Sequence, residues 1–214
     1  MRRRRIKSRL TKTLPRCNTP SSRSDQLTMD GPSVYDDIDE ILITEDQIRE
    51  KIAELGGLIS RDYAGQTPLL VGLLKGCVLT MADLLRAITI PVTIDFMAVS
   101  SYGPATRSSG VVRILKDLET SVEGRHVLVV EDVIDTGLTL SYIMRILRGR
   151  HPASLAVGTL LDKPARRLID IDIKYRGFEL PDKFVVGYGL DYAEKYRNLP
   201  FVGVLKPEVY THTG

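Results

Sequence analysis

Val127-Leu128-Val129-Val130-Glu131-Asp132-Val133-Ile134-Asp135-Thr136-Gly137-Leu138-Thr139-Leu140 is the stretch that decides how this chain is read. Four apolar residues run directly into two adjacent carboxylates. A third carboxylate follows at Asp135, then Thr-Gly-Leu-Thr, then the apolar rhythm of a helix. A buried strand that ends in acids, turns at a glycine and feeds a helix N-terminus reads as a site for a sugar and its phosphate. The helix end offers unpaired N–H groups and a positive dipole to a phosphate. The acids suit hydroxyls or a divalent metal. Two rival phosphate sites lack their parts. A P-loop needs a Gly-Lys pair and a dinucleotide fold needs G-x-G-x-x-G, and the sequence holds neither.

Glu131 and Asp132 are neighbours, so on an extended strand they point to opposite faces. At a strand end just past Val130, where the chain begins to turn, both reach one ligand. Gly137 permits a tight turn with positive φ, and Thr136 and Thr139 add hydroxyls beside the free N–H groups.

The 214 residues suit one domain. No apolar run approaches the roughly 20 residues of a membrane span, so no membrane partner is expected. The net charge of +3 is unevenly placed. Nine of the 30 basic residues fall within the first 24, where there is no acid, which leaves 21 basic against 27 acidic residues beyond them. Cys17 and Cys77 read as free thiols of a reducing compartment. His126, His151 and His212 are far apart, which argues against zinc chemistry and a histidine triad.

Residues 1–33 read as a poorly ordered basic arm and residues 34–214 as the folded domain. Ile6, Leu10 and Leu14 recur four apart among cations, a spacing open to an import peptide or a nucleic-acid-binding arm as well as to a solvated tail. Thr44-Glu45-Asp46-Gln47 is a capping-box pattern, and Ile48, Ile52, Leu55 and Ile59 mark a helical face after it. Strands are expected at 69–74, 92–99, 111–115, 126–130, 155–161, 171–175, 184–186 and 202–205, with helices at 78–88 and 139–148. Residues 100–110 read as the tip of a long hairpin. Alternating buried strands and helices predict an α/β fold with a parallel sheet flanked by helices. Ligands in such sheets sit beyond the carboxyl ends of the strands, where Lys75, Glu131, Asp132 and Lys163 fall.

Glu131 through Thr139 resembles the phosphoribosyl-pyrophosphate (PRPP) motif of the type I phosphoribosyltransferases, in the form used by hypoxanthine-guanine phosphoribosyltransferases. Leu74-Lys75-Gly76 resembles the pyrophosphate loop of that family, and Ser100-Ser101-Tyr102-Gly103 the start of its flexible lid. Asp162-Lys163-Pro164 resembles its base-reading lysine. Phe184 to Asp191, followed by Glu194-Lys195-Tyr196-Arg197-Asn198-Leu199-Pro200, resembles its hood. The likeness spans residues 38–210 and implies a small hood and a hairpin lid added to the parallel sheet.

It also implies a reaction and roles. A 6-oxopurine, hypoxanthine or guanine, combines with PRPP to give the nucleoside 5′-monophosphate and pyrophosphate, with Mg²⁺ as cofactor. Glu131 and Asp132 would hold the ribose hydroxyls, directly or through the metal. Asp135 would be the general base at purine N7, although an Asp before a helix is also a common cap. Thr136, Gly137, Leu138 and Thr139 would bind the 5′-phosphate. Lys163 would donate to the 6-oxo oxygen, a group an ammonium suits and adenine lacks. Phe184 would stack on the base, and the Val185 backbone would meet its edge. Asp191 would coordinate Mg²⁺ beside the base, while Lys75, Gly76 and Arg197 would grip pyrophosphate. Ser101 and Tyr102 would close over the site. A cis peptide is expected at Leu74–Lys75. The resemblance further implies a homodimer or homotetramer; no nucleic-acid partner is expected, and the expected location is cytoplasmic, with organelle import through the basic arm left open. An RNA-binding regulator on the same fold, and a phosphoribosyltransferase for xanthine, adenine or a pyrimidine, are the competing readings. Asp135 and Lys163 weigh against the regulator, and Lys163 with Phe184 against adenine.

Overall fold

The computed structural model describes residues 33–101 and 112–211. Among them a six-stranded sheet forms the centre, in the order β4 (Val112–Lys116), β3 (Thr93–Ser101), β2 (Leu69–Leu74), β5 (His126–Ile134), β6 (Ser154–Asp162) and β7 (Tyr175–Glu179). Every pairing is parallel except β3 with β4, the hairpin arms, which meet antiparallel as far as Ser101 opposite Val112. Helices α1 (Glu45–Asp62) and α2 (Val78–Ala87) cover one face. Helix α3 (Leu138–Arg148) covers the other. A sheet covered on both faces needs strands that are apolar throughout, and Val127 to Val130 are at most 1% exposed. Leu128 and Val130 pack with Leu55, Ile59, Met81 and Leu84, whereas Val127 and Val129 pack with Leu140, Ile143, Met144 and Leu147.

A second, antiparallel sheet joins the two ends of the described chain: β1 (Ile38–Ile43), β9 (Val202–Leu205) and β8 (Val185–Val186). The short helix α4 (Pro207–Thr211) follows it. This is the hood, packed through Val185, Tyr188, Leu190 and Val202 onto Leu160 and Leu161 of the central sheet.

Three expectations are corrected. β5 runs four residues past Val130, because β6 continues beside it to Ile134 opposite Asp162. Residues 171–174 are not strand; β7 begins at Tyr175. The alternation of Ile171 and Ile173 instead packs the pair against the α3 side of the core. Phe184 lies just outside β8. The capping box on α1 is present in full: Thr44 Oγ1 accepts from the Gln47 N–H at 3.3 Å, and Gln47 Oε1 accepts from the Thr44 N–H at 2.8 Å. None of the described helices is long and apolar enough to cross a membrane.

Candidate active site

The site forms where two neighbouring strands part. β2 pairs with β5 only from Leu69–Val127 to Gly72–Val130, stays paired with β3 as far as Leu74–Ala98, and ends at a cis Leu74–Lys75 peptide. Glu131 to Ile134 therefore keep a strand partner on the β6 side alone. Because β5 stays extended, Glu131 and Asp132 fall on opposite faces. Glu131 lines a recess of about 140 Å³ with Thr136, Gly137 and Thr139 on the α3 side. Asp132 lines a second recess of about 380 Å³ with Lys75, Gly76, Lys163, Phe184 and Arg197. The two recesses share Val133 and Asp135, so a ligand lying across both would meet both acids.

Burial pushes the Glu131 carboxyl well above the usual range, and the neighbouring Asp132 charge adds to it. Burial also raises Asp132, against hydrogen bonds from the Val133 N–H and its own N–H and the positive charge of Arg197. Gly76 lies directly on this carboxylate: a Cβ there would sit 1.7 Å from Asp132 Oδ2. Only a residue without a side chain lets the backbone after Lys75 come so close. Burial pushes the neighbouring Cys77 thiol up to about 12, so it is inert as a nucleophile.

Gly137, at φ +81°, is the N-cap of α3. Its left-handed turn is boxed in below, since an added Cβ would lie 2.9 Å from Ile171 Cδ1 and 3.1 Å from the Ile169 carbonyl oxygen. The carbonyls of the turn are tied down. Leu168 and Ile169 N–H groups donate to Thr136 O at 3.0 and 3.3 Å. Arg167 Nε donates to Asp135 O at 3.1 Å, and its guanidinium also grips the buried Asp162 carboxylate. No side chain caps α3. The contrast with α1 matters: α1 closes its first turn with a capping box, whereas Gly137 brings α3 no side-chain cap and Thr136 Oγ1 accepts only a long bond from the Leu138 N–H, so the turn stays open to an anion in the recess.

Across Asp135 lies the second half of the site. Lys163, 6% exposed, follows β6, and its Nζ donates to the Lys183 carbonyl at 2.7 Å. Burial lowers its pKa, partly offset by the charge of Asp135. Asp135 Oδ1 lies 3.2 Å from Arg166 Nε but accepts no aligned hydrogen bond. Arg166 also approaches Asp182, at 3.6 Å. Arg197 Nη2 pairs with Asp191 at 2.7 Å and Nη1 donates to Gly189 O at 2.7 Å, while its buried Nε has no hydrogen-bond partner. Lys75 reaches across to Glu194 at 3.0 Å, and that contact lowers the Glu194 pKa. Both groups are two-thirds exposed, so the pair orients more than it stabilises.

Thus Lys75, Gly76, Asp132, Asp135, Lys163, Phe184, Val185, Asp191 and Arg197 share one recess, and Glu131, Thr136, Gly137 and Thr139 the adjoining one. Leu138 is the first residue of α3, and its N–H lies 3.4 Å from Thr136 Oγ1. Ser101 ends β3, and Tyr102 lies outside the described residues. Sequence reasoning missed Arg166, Arg167 and Glu194. The adjacent Arg166-Arg167 just after Lys163-Pro164 was the available signal. A cavity of about 570 Å³ between α1, α2 and the hood holds none of these groups.

Residues 35–193 match the phosphoribosyl transferase domain family. The chain is 55% identical to the hypoxanthine-guanine phosphoribosyltransferase of Bacillus subtilis, over 81% of its own length and 97% of that protein. This chain belongs to the hypoxanthine-guanine phosphoribosyltransferase family. The fold agrees with the family: a hypoxanthine phosphoribosyltransferase crystal structure from Staphylococcus aureus matches with a TM-score of 0.80 at 50% identity, over 82% of this chain and 96% of that one. The chain is also 54% identical to the bifunctional protein TilS/HprT of Listeria monocytogenes serotype 4b, over 84% of its own length but only 28% of that longer protein. Mg²⁺ is general in the family, and the donor set fits it. Glu131, Asp132 and Asp191 offer hard oxygen ligands. Mg²⁺ takes one or two such carboxylates and completes its shell with waters and substrate phosphates.

Proposed function

We propose that the chain transfers the 5-phosphoribosyl group of PRPP to a 6-oxopurine, hypoxanthine or guanine, releasing pyrophosphate. The observation that carries this reading is the position of Asp135. It is the wall common to an uncapped helix N-terminus on one side and a buried lysine beside an exposed aromatic ring on the other.

The 5′-phosphate would sit on the Thr136–Thr139 turn, held by the first-turn N–H groups of α3 and the Thr136 and Thr139 hydroxyls. That placement lays the ribose along Glu131 and Asp132. The purine would enter the larger recess, flat on Phe184, with its edge at the Val185 backbone and its 6-oxo oxygen accepting from Lys163. Lys163 Nζ would then exchange the Lys183 carbonyl for the base. As the C1′–O bond breaks, its electron pair leaves with pyrophosphate and positive charge builds on the ribose ring. Glu131 and Asp132 would stabilise that charge. N9 attacks C1′, and the N7 proton passes to Asp135. Lys75, the Gly76 backbone and Arg197 would hold the pyrophosphate. Mg²⁺, held by Asp191 with Glu131 or Asp132, would supply further positive charge to the leaving group. Ser101 and Tyr102 would close the lid and exclude water, which would otherwise capture the ribosyl cation.

The test is a base panel with PRPP and Mg²⁺. Turnover of hypoxanthine or guanine without turnover of adenine or uracil is expected. Failure with both 6-oxopurines overturns the reading. Asp135→Asn should cut kcat by about 10²–10⁴ while leaving the KM for PRPP near its parent value. An undiminished rate would reduce Asp135 to a helix-start residue.

A further inference from the structure

The C-terminal segment ends against the recess that holds Lys163 and Phe184. β9 stops at Leu205, whose N–H donates to the Phe184 carbonyl at 3.2 Å. The next residue is fixed at two points: the Lys206 N–H donates to Asp37 O at 2.9 Å and its Nζ to Asp36 O at 2.6 Å. α4 then turns back over the hood, where Val209 and Tyr210 pack with Val186, Tyr196, Leu199 and Leu205. The Tyr210 ring comes to lie on Phe184, with centroids 5.2 Å apart and planes 29° apart. Tyr192 completes a three-ring cluster, edge-on to Phe184 at 5.7 Å and to Tyr210 at 6.5 Å. Phe184 remains 41% exposed and lines the recess that holds Lys163 and Asp135, whereas Tyr210 is not among the lining residues.

We propose that Tyr210 is a positioning residue for purine recognition: it backs the Phe184 ring and fixes the plane on which the base stacks. This rests on the assignment of Phe184 as the base platform. A half-exposed phenylalanine outside any strand has free χ rotation to lose when a base lands on it. A ring already clamped on one face and one edge has lost that freedom before binding, and aromatic pairs of this geometry are worth enough to hold it. The base then meets a preorganised surface. Because the clamp touches only the base side, its effect falls on the purine and not on PRPP.

The experiment measures kcat, both KM values and the melting temperature for Tyr210→Leu, Tyr210→Phe and Phe184→Leu. Tyr210→Leu keeps apolar bulk for the hood but loses the flat ring. It should raise the KM for hypoxanthine about 3- to 10-fold, the size of an aromatic pair, with kcat and the KM for PRPP close to the parent. Tyr210→Phe should restore the parent KM. An unchanged hypoxanthine KM in Tyr210→Leu overturns the proposal, and so does a parallel rise for PRPP, which would mark a general loosening of the hood. A fall in that KM would show Tyr210 obstructing the base, and a defect in Tyr210→Phe would assign the role to the hydroxyl; either overturns it too. An unaltered Phe184→Leu would remove the platform assignment and the inference with it, whereas a defective Phe184→Leu beside a normal Tyr210→Leu removes the inference alone.

Discussion

Two neighbouring carboxylates in a confined space are a cost the folded chain bears without a ligand. Glu131 holds its proton more tightly in the folded state than in the unfolded one, because burial and Asp132 raise its pKa. Stability from such a group is complete below the ordinary glutamate range and is lost as the pH rises through the raised value. Glu131→Gln removes that loss. The ligand-free variant should therefore melt higher than the parent at pH 7–8, by about 2–4 °C for each kcal/mol relieved, and the gain should vanish at low pH. Thermal melts across pH check the sign, and a lower melting temperature at pH 8 would show that Glu131 is stabilising as an anion. PRPP binding should weaken in the same variant, which separates function from stability. At this scale the sequence was informative about the acids, since adjacent carboxylates after an apolar run are visible in one dimension. Arg166 was not legible as a partner of Asp135. Its approach depends on the 3₁₀ turn at Pro164–Arg166 folding it back toward the recess; the paired arginines after Lys163-Pro164 mark a cationic spot but not which acid it meets.

Elements place these residues by their lengths. The extra four residues of β5 separate Glu131 from Asp132 onto two faces, and that length is set by β6, a strand distant in sequence. Local pattern ends the strand at the acids because acids look like a terminus. The same limit explains residues 171–174: Ile171 and Ile173 alternate as a strand does, but they pack on the α3 side of the core, with Ile171 lying beneath the turn at Gly137. Gly137 is where strand, turn and floor meet. Gly137→Ala places a methyl against Ile171 and the Ile169 carbonyl at a φ that alanine resists. We expect a loss of about 1–3 kcal/mol in denaturant unfolding and a raised KM for PRPP with the base KM little altered. A variant of parent stability that binds PRPP normally would mean that the turn can reshape without the left-handed residue.

The whole molecule was legible as a class and less so as an assembly of parts. Strand-helix alternation from Leu69 to Asp162 forecasts the parallel sheet, because each crossover is local. The hood is not local: Ile38 pairs with Leu205, near opposite ends of the described chain, and short strands of that kind carry little pattern of their own. The same topology decides what the first 32 residues contribute. The family match begins at residue 35, β1 begins at Ile38, and every assigned site residue lies at or beyond Lys75. Removing residues 1–32 takes away nine basic and two acidic residues and moves the formal charge from +3 to −4. None of the assigned site residues lies among them, so kcat and both KM values should stay within about twofold, the range of changes that touch no structural feature. Retention on a polyanion column such as heparin should be lost, because clustered cations are what bind phosphate-like polymers. A truncated enzyme that keeps its retention would place the anion-binding surface on the folded body. One that loses most of its kcat would show that the basic segment helps to build the site.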